Sequence, residues 1–284
     1  MPELPEVEQV RRALQPVMEG ARFVEVIARR PDLRRALPAR FAARLTGQTV
    51  RRMDRRGKYL VAELASGDAL LMHLGMSGSF RIDGCGGAVT LVAYDKRNEA
   101  FAHDHVVFRM SSGAVVTFND PRRFGSMDIV DAGALTAHRA VAALGPEPLD
   151  AAFTAEHLAR ACRRRKVSLK AALMDQRVVA GLGNIYVCEA LHAARLSPKR
   201  KASTIAERSA APRDEARRLA RAVISVVRRA VAAGGSEDDN EGGGVRFRVY
   251  GREGLGCPRR GCRGIVRRIV QSGRSTYFCP LCQR

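Results

Sequence analysis

The 284-residue chain contains no apolar run approaching the roughly 18 residues that would cross a bilayer, and its amino terminus lacks the apolar stretch of a signal peptide. A cytosolic protein is therefore expected. Acidic residues are scarce, with 29 Asp plus Glu against 49 Lys plus Arg, for a net charge of +20. No basic amphipathic anchor stands out, so the polyanion that such a surface calls for is most simply nucleic acid. Seven cysteines in a reducing compartment argue for metal ligation or free thiols over disulfides. A βαβ pattern is also missing around Gly181-Leu182-Gly183, which excludes a dinucleotide fingerprint there. The length suits one large or two ordinary domains with real cores.

Against these absences, the first eight residues, MPELPEVE, carry an unusual amount of chemistry. Removal of Met1 would leave Pro2 with a free secondary amine beside the Glu3 carboxylate, and such an amine can attack an electrophilic carbon and form a Schiff base. Pro5 fits a first helical turn, and Val7, Val10, Leu14 and Val17 recur at helical spacing. An ordinary capped helix is the plainer reading of these residues taken alone.

Residues 1–132 read as a β-rich domain. Lys58–Leu64 and Ala69–Leu74 are strand candidates joined by Ser66-Gly67-Asp68, and His105–Met110 with Ala114–Phe118 form a second hairpin. The basic run Arg51–Lys58 reads as a solvated face, except that Lys58 begins a strand and can project into a cleft. Met76, in the glycine-containing stretch Gly75-Met76-Ser77-Gly78, and Arg122-Arg123-Phe124, after a proline turn, occupy unusual loops. Apolar residues near strand ends usually belong to the core. The alternative is a wedge that enters duplex DNA while a base is extruded.

From residue 150 the pattern turns helical, with helices expected over 154–165, 168–174, 184–194 and 212–233. The glycine turn before Asn184 brings backbone N–H groups to a helix N-terminus, a setting suited to phosphate. Residues 234–244 are acidic and glycine-rich and should form a mobile loop. In the tail, Cys257, Cys262, Cys279 and Cys282 make two short pairs across a hairpin-forming spacer, the arrangement of a structural Zn(Cys)₄ site. Metal would supply the folding energy of so small a segment. Arg259, Arg260, Arg263, Arg267, Arg268 and Arg274 make this finger cationic. Cys85, Cys162 and Cys188 are expected to be unligated, Cys188 as core.

Taken in order, PELPEVE at 2–8, GKYL at 57–60, HLGMSGS at 73–79, NDPRRFG at 119–125, GLGNIY at 181–186 and the tail with GRSTYFC at 273–279 span nearly the whole chain. The sequence resembles the bacterial formamidopyrimidine-DNA glycosylases, within the wider family that includes endonuclease VIII. The resemblance implies an α+β fold. An N-terminal helix and β-sandwich domain (1–132) would precede a helix–two-turn–helix domain (150–235) and a β-hairpin zinc finger (245–284), with DNA in the cleft between domains.

It implies Pro2 as nucleophile, Glu3 as the acid for the opening sugar, Lys58 for β-elimination and Arg274 for δ-elimination. Met76, Arg122 and Phe124 would fill the gap in the duplex, and His103, Lys166, Lys170 and Asn184 would grip phosphates. The partner would be double-stranded DNA carrying a damaged base, met by a cytoplasmic, nucleoid-associated monomer with one zinc ion and no membrane contact. Two departures bear on substrate. The segment from Gly235 to Tyr250 lacks the longer Gly-Tyr-Phe element that purine-preferring members fold over the flipped base, as in endonuclease VIII, whereas the PELPE start and the DPRRF wedge favour oxidised purines. Oxidised purines are the expected substrate. Oxidised pyrimidines, or a non-catalytic zinc protein that binds damaged DNA, are the alternatives.

Overall fold

The structure, a computed structural model, describes residues 2–84, the backbone of 90–92, and residues 101–235 and 246–284. The expected loop at 234–244 falls mostly outside the described residues, as does Cys85. The chain divides into two compact units, Met1–Ala142 and Ala143–Arg284. No helix among the described residues is long and apolar enough to cross a membrane.

The first unit opens with helix α1 (Leu4–Met18), whose buried Val7, Val10, Leu14 and Val17 confirm the apolar stripe read from the sequence. Glu3 caps it in the reciprocal arrangement of a capping box, its backbone N–H donating to Glu6 Oε2 at 2.8 Å. Then follow β1 (Phe23–Ala28), the short α2 (Phe41–Leu45), β2 (Val50–Arg56), β3 (Tyr59–Leu64), β4 (Asp68–His73), β5 (Ser79–Asp83), β6 (Thr90–Val92), β7 (Asp104–Met110), β8 (Val115–Asn119) and β9 (Ser126–Asp131). They build a five-stranded sheet in the order β1-β7-β8-β5-β6 and a four-stranded sheet in the order β2-β3-β4-β9. One buried core takes Phe23, Phe80, Phe108 and Phe118 from the first sheet, Met53, Leu60, Leu70 and Met127 from the second, and Leu14 and Met18 from α1. Both sheets thus bury one face against common partners, the expected β-sandwich.

The basic run at 51–58 needs correction. Arg51–Arg56 lie in strand β2, paired with β3, and Lys58 sits in the tight turn between the two strands instead of beginning one. Gly57, at φ +59°, supplies the backbone conformation that this turn requires. The strand was hidden because a register shift between Val50 and Arg52 breaks the alternation, so that Val50 and Met53 face the core three positions apart.

The second unit is helical until its tail. Thr154 caps α3 (Ala155–Cys162), which stops short of the arginine run, and Ser168 caps α4 (Leu169–Met174), each side-chain oxygen accepting a backbone N–H. Helix α5 (Asn184–Ala193) is buried almost all round, from Ile185 to His192, and is the centre of the unit. Helix α6 (Asp214–Ala232) packs Leu219, Val223, Val227 and Ala230 inward. The tail forms the hairpin of β10 (Arg267–Gln271) and β11 (Arg274–Phe278). Glu189 of α5 ties the approach to this hairpin, accepting the backbone N–H groups of Arg248, Val249 and Tyr250 at 2.8–2.9 Å. Cys188 is buried beside Val249 and Val266, as core.

Candidate functional site

In the first unit, Pro2 and Glu3 are buried at the head of α1, and the Glu6 carboxylate fixes the Glu3 backbone. One helical turn on, Glu8 accepts from Arg11, Arg12 and Arg55, with Arg55 Nε at 3.1 Å. Burial pushes the Glu8 carboxyl up, but the three guanidinium groups outweigh it and hold its pKa below the ordinary value. Arg55 also donates through Nη1 to the Gly57 carbonyl at 3.0 Å, so a continuous polar chain runs from α1 to the turn that carries Lys58.

His73, at the end of β4, lies near Lys58. Burial, assisted by the Lys58 and Arg34 charges, pushes its pKa down to about 4. Its Nδ1 accepts the Gly75 N–H at 2.9 Å, which leaves the proton of the neutral ring on Nε2. His73 is thus a fixed, uncharged N–H donor that sequence reasoning passed over.

The two loops singled out from sequence lie against each other. Gly75 holds φ +65°, and a Cβ there would collide with the Phe124 carbonyl and the Gly125 nitrogen. Asp120, fully buried, joins the loops: Oδ1 accepts from Ser77 Oγ at 2.6 Å and Oδ2 from the Gly125 N–H at 2.7 Å. Its carbonyl oxygen accepts from His105 Nε2 at 2.9 Å, and its N–H donates to the carbonyl of His103, whose side chain is half-buried. On this frame Met76 and Phe124 stay 39% and 40% exposed, and the Arg122 guanidinium stacks 4.8 Å from the Phe124 ring centre. The usual core reading of these two apolar side chains therefore fails.

In the second unit, Lys170 and Asn184 converge on the finger hairpin beside Arg274. Lys170 is buried, with Nζ 2.6 Å from Thr276 Oγ1, and Asn184 Nδ2 donates to the Ser275 carbonyl at 2.9 Å. Arg274 itself is exposed at the start of β11, and Lys166 is exposed on the link between α3 and α4, away from this cluster's contacts. Gln176 braces the glycine turn before α5: Oε1 accepts the Gly181 N–H at 2.9 Å and Nε2 donates to the Leu182 carbonyl at 2.8 Å. Its role is readable only from these partners.

The four tail cysteines meet with their sulfurs within 4.8 Å of one another. The Cys257–Cys282 and Cys262–Cys279 separations, 3.8 and 3.7 Å, are far beyond a disulfide bond. They equal the edge of a tetrahedron whose vertices lie about 2.3 Å from a central zinc. The Gly264 N–H points at Cys262 Sγ at 3.4 Å and His192 Nε2 lies 3.3 Å from Cys257 Sγ, hydrogen-bonding contacts of the kind thiolate ligands receive. The donor set fits one structural zinc ion, with no open position for chemistry. By contrast Cys162 is sealed in the core, where burial pushes its thiol up to about 11.

Three family models match in succession: the formamidopyrimidine-DNA glycosylase N-terminal domain over residues 1–127, the H2TH domain of the same enzymes over 144–240, and a zinc finger found in FPG and IleRS over 254–284. The chain belongs to the formamidopyrimidine-DNA glycosylase family. Among its curated relatives, the formamidopyrimidine-DNA glycosylase of Rhodopseudomonas palustris (strain BisB18) is 57% identical, with both chains covered over their full length. The solved structure of the MutM (Fpg) protein from Thermus thermophilus is 40% identical and superposes with a TM-score of 0.82 over 99% of this chain and 98% of its own. A structure of MutM in complex with DNA containing carbocyclic 8-oxo-G is 30% identical, with a TM-score of 0.84 and full coverage of both chains.

Proposed function

We propose that this protein is a bifunctional DNA glycosylase and AP lyase that removes oxidised purines, 8-oxoguanine and formamidopyrimidines, from duplex DNA. The observation that carries the proposal is the exposed trio Met76, Arg122 and Phe124, held on two loops that Asp120 locks together. Apolar side chains kept in water on a rigid frame suit insertion into the gap that an extruded nucleotide leaves. The relatives' names and the 8-oxo-G complex of a family member support the purine assignment.

With Met1 removed, the Pro2 nitrogen lone pair attacks the anomeric carbon, and the bond to the damaged base breaks with its electrons leaving on the base. The attached nitrogen gives its own proton to the departing base, Glu3 gives a proton to the ring oxygen as the sugar opens, and the freed nitrogen lone pair forms the iminium. The iminium acidifies the neighbouring carbon. Lys58 assists loss of that proton and departure of the 3′ phosphate, and Arg274 serves the second elimination, which releases the 5′ phosphate. Both cations also offset charge on the leaving phosphates. His103, Lys166, Lys170 and Asn184 hold the strand through its backbone. A catalytic region 1–132, a helix–two-turn–helix region 150–235 and a finger 245–284 divide this work, and one zinc ion, when bound by the four cysteines, holds the finger's fold.

Borohydride trapping tests the proposal, with the native protein and Pro2→Gly side by side on duplexes carrying 8-oxoguanine, thymine glycol or an abasic site. A covalent adduct on 8-oxoguanine, sharply reduced in the variant, is the expected outcome. A stronger adduct on thymine glycol would move the substrate to oxidised pyrimidines, and no adduct on any duplex would leave a binding protein.

A further inference from the structure

At the cysteine cluster, with Cys262 and Cys282 in its wall, the second unit holds an open concavity of about 450 Å³ lined by Arg195, Arg218, Arg259, Arg260 and Arg284. No Asp or Glu lines it. Elsewhere Arg81 is matched to Asp104, Arg165 to Asp175 and Arg200 to Glu215, whereas here Arg259 is half-buried and the other four arginines are exposed. Among the described residues, no side-chain carboxylate pairs with Arg195, Arg218, Arg260 or Arg284, although the neighbouring Arg217 pairs with Asp214.

Part of this charge has an evident purpose. Arg259 donates to the carbonyls of His192 and Ala193, and it stands beside Cys282. Four thiolates on one zinc ion carry a net charge of about −2, which nearby cations offset. Subtracting that charge, and the α-carboxylate of Arg284 as well, still leaves an excess of about +2 among the five guanidinium groups. Like charges held together at an exposed surface repel weakly, and an anion bound among them would offset that repulsion. One further feature fits an occupant. Arg195 holds φ +60°, the left-handed conformation at a helix end where glycine is the usual residue, so an arginine is kept there at some conformational cost.

We propose that this concavity is a second anion site that takes a phosphate-bearing ligand, through the bidentate forks that guanidinium groups offer to phosphate oxygens. It is separate from the cluster of Lys170, Asn184 and Ser275. Asn184 begins α5 and Arg195 follows its end, so the ten-residue helix sets the two about 15 Å apart along its axis. The phosphate can belong to a nucleic-acid backbone or to a free polyphosphate, and the two sources separate experimentally.

The test uses the full-length, zinc-loaded protein labelled at arginine, with the Nε–H resonances followed as sodium tripolyphosphate or a five-nucleotide oligothymidylate is added. Saturable shifts at Arg195, Arg218 and Arg260, weakened about tenfold or more in R218A/R260A with its zinc content unchanged, are expected. Saturation by the oligonucleotide assigns the site to a nucleic-acid backbone, and saturation by tripolyphosphate alone assigns it to a free polyphosphate. If neither probe gives saturable shifts in the native protein, or the double variant binds both as tightly, the proposal fails and the arginines serve the zinc thiolates alone. The native titration decides even where the variant does not fold.

Discussion

Asp120 shows how one buried carboxylate can set the working shape of two loops. It is fully buried and accepts from a hydroxyl 43 positions earlier in the chain and from the Gly125 N–H on its own loop. Met76 and Phe124 project from either side of this joint. Asp120→Ala would leave the Gly125 N–H and the Ser77 hydroxyl without their acceptor. Each lost acceptor costs about 1–3 kcal/mol, so a loss of about 2–6 kcal/mol in urea unfolding is expected. Asp120→Asn retains one acceptor oxygen and should fall between the two. Equal stability of all three proteins would show that the joint contributes nothing. Sequence reasoning found Arg122 and Phe124, because a proline turn followed by two arginines and an aromatic is a local pattern. It passed over Asp120, His73 and Gln176, whose partners are backbone groups and distant side chains that no spacing rule encodes.

At the scale of elements, what was legible followed from periodicity and caps. The stripe of α1 and the hairpin at Ser66–Asp68 rest on contacts within a few residues and form as read, and helices follow Thr154 and Ser168 where they were expected. Strand β2 was illegible because arginines occupy most of it and a bulge shifts its inward positions. The finger lies at the other extreme, since its four ligands are chemically unambiguous. The core beneath its hairpin is small, with Cys188, Val249 and Val266 and the flanking Tyr250 and Tyr277. The metal therefore dominates its stability, with apparent zinc binding worth about 10–16 kcal/mol in comparable small domains. Cys279→Ser, replacing a fully buried ligand, should release zinc and abolish hydrogen-exchange protection in β10 and β11. Protection in β7 and β8, built on the separate core of the first unit, should persist. Retention of one zinc per chain in the variant would contradict the four-cysteine site.

For the molecule as a whole, the governing quantity is charge. The net +20 was visible from composition, and it named a class of partner before any fold was known. What composition could not show is how the charge is partitioned. Arg11, Arg55, Arg81 and Arg165 are spent on internal carboxylates and hold elements together. Met76, Arg122 and Phe124 stay exposed on their locked loops, and Lys166 and Arg274 are exposed in the second unit. The cations left without internal partners are available to neutralise phosphates and release the counterions condensed on DNA. Binding to undamaged duplex should then weaken steeply with salt. With about six phosphates neutralised, the logarithmic slope is near −5, and affinity falls about a thousandfold between 50 and 200 mM salt. Fluorescence anisotropy across that range measures the slope directly. Lys166→Ala should make it shallower by about one, because a backbone contact contributes one neutralised phosphate whatever the sequence. An unchanged slope would remove Lys166 from the interface. A flat salt response in the native protein would mean that the excess charge serves something other than DNA.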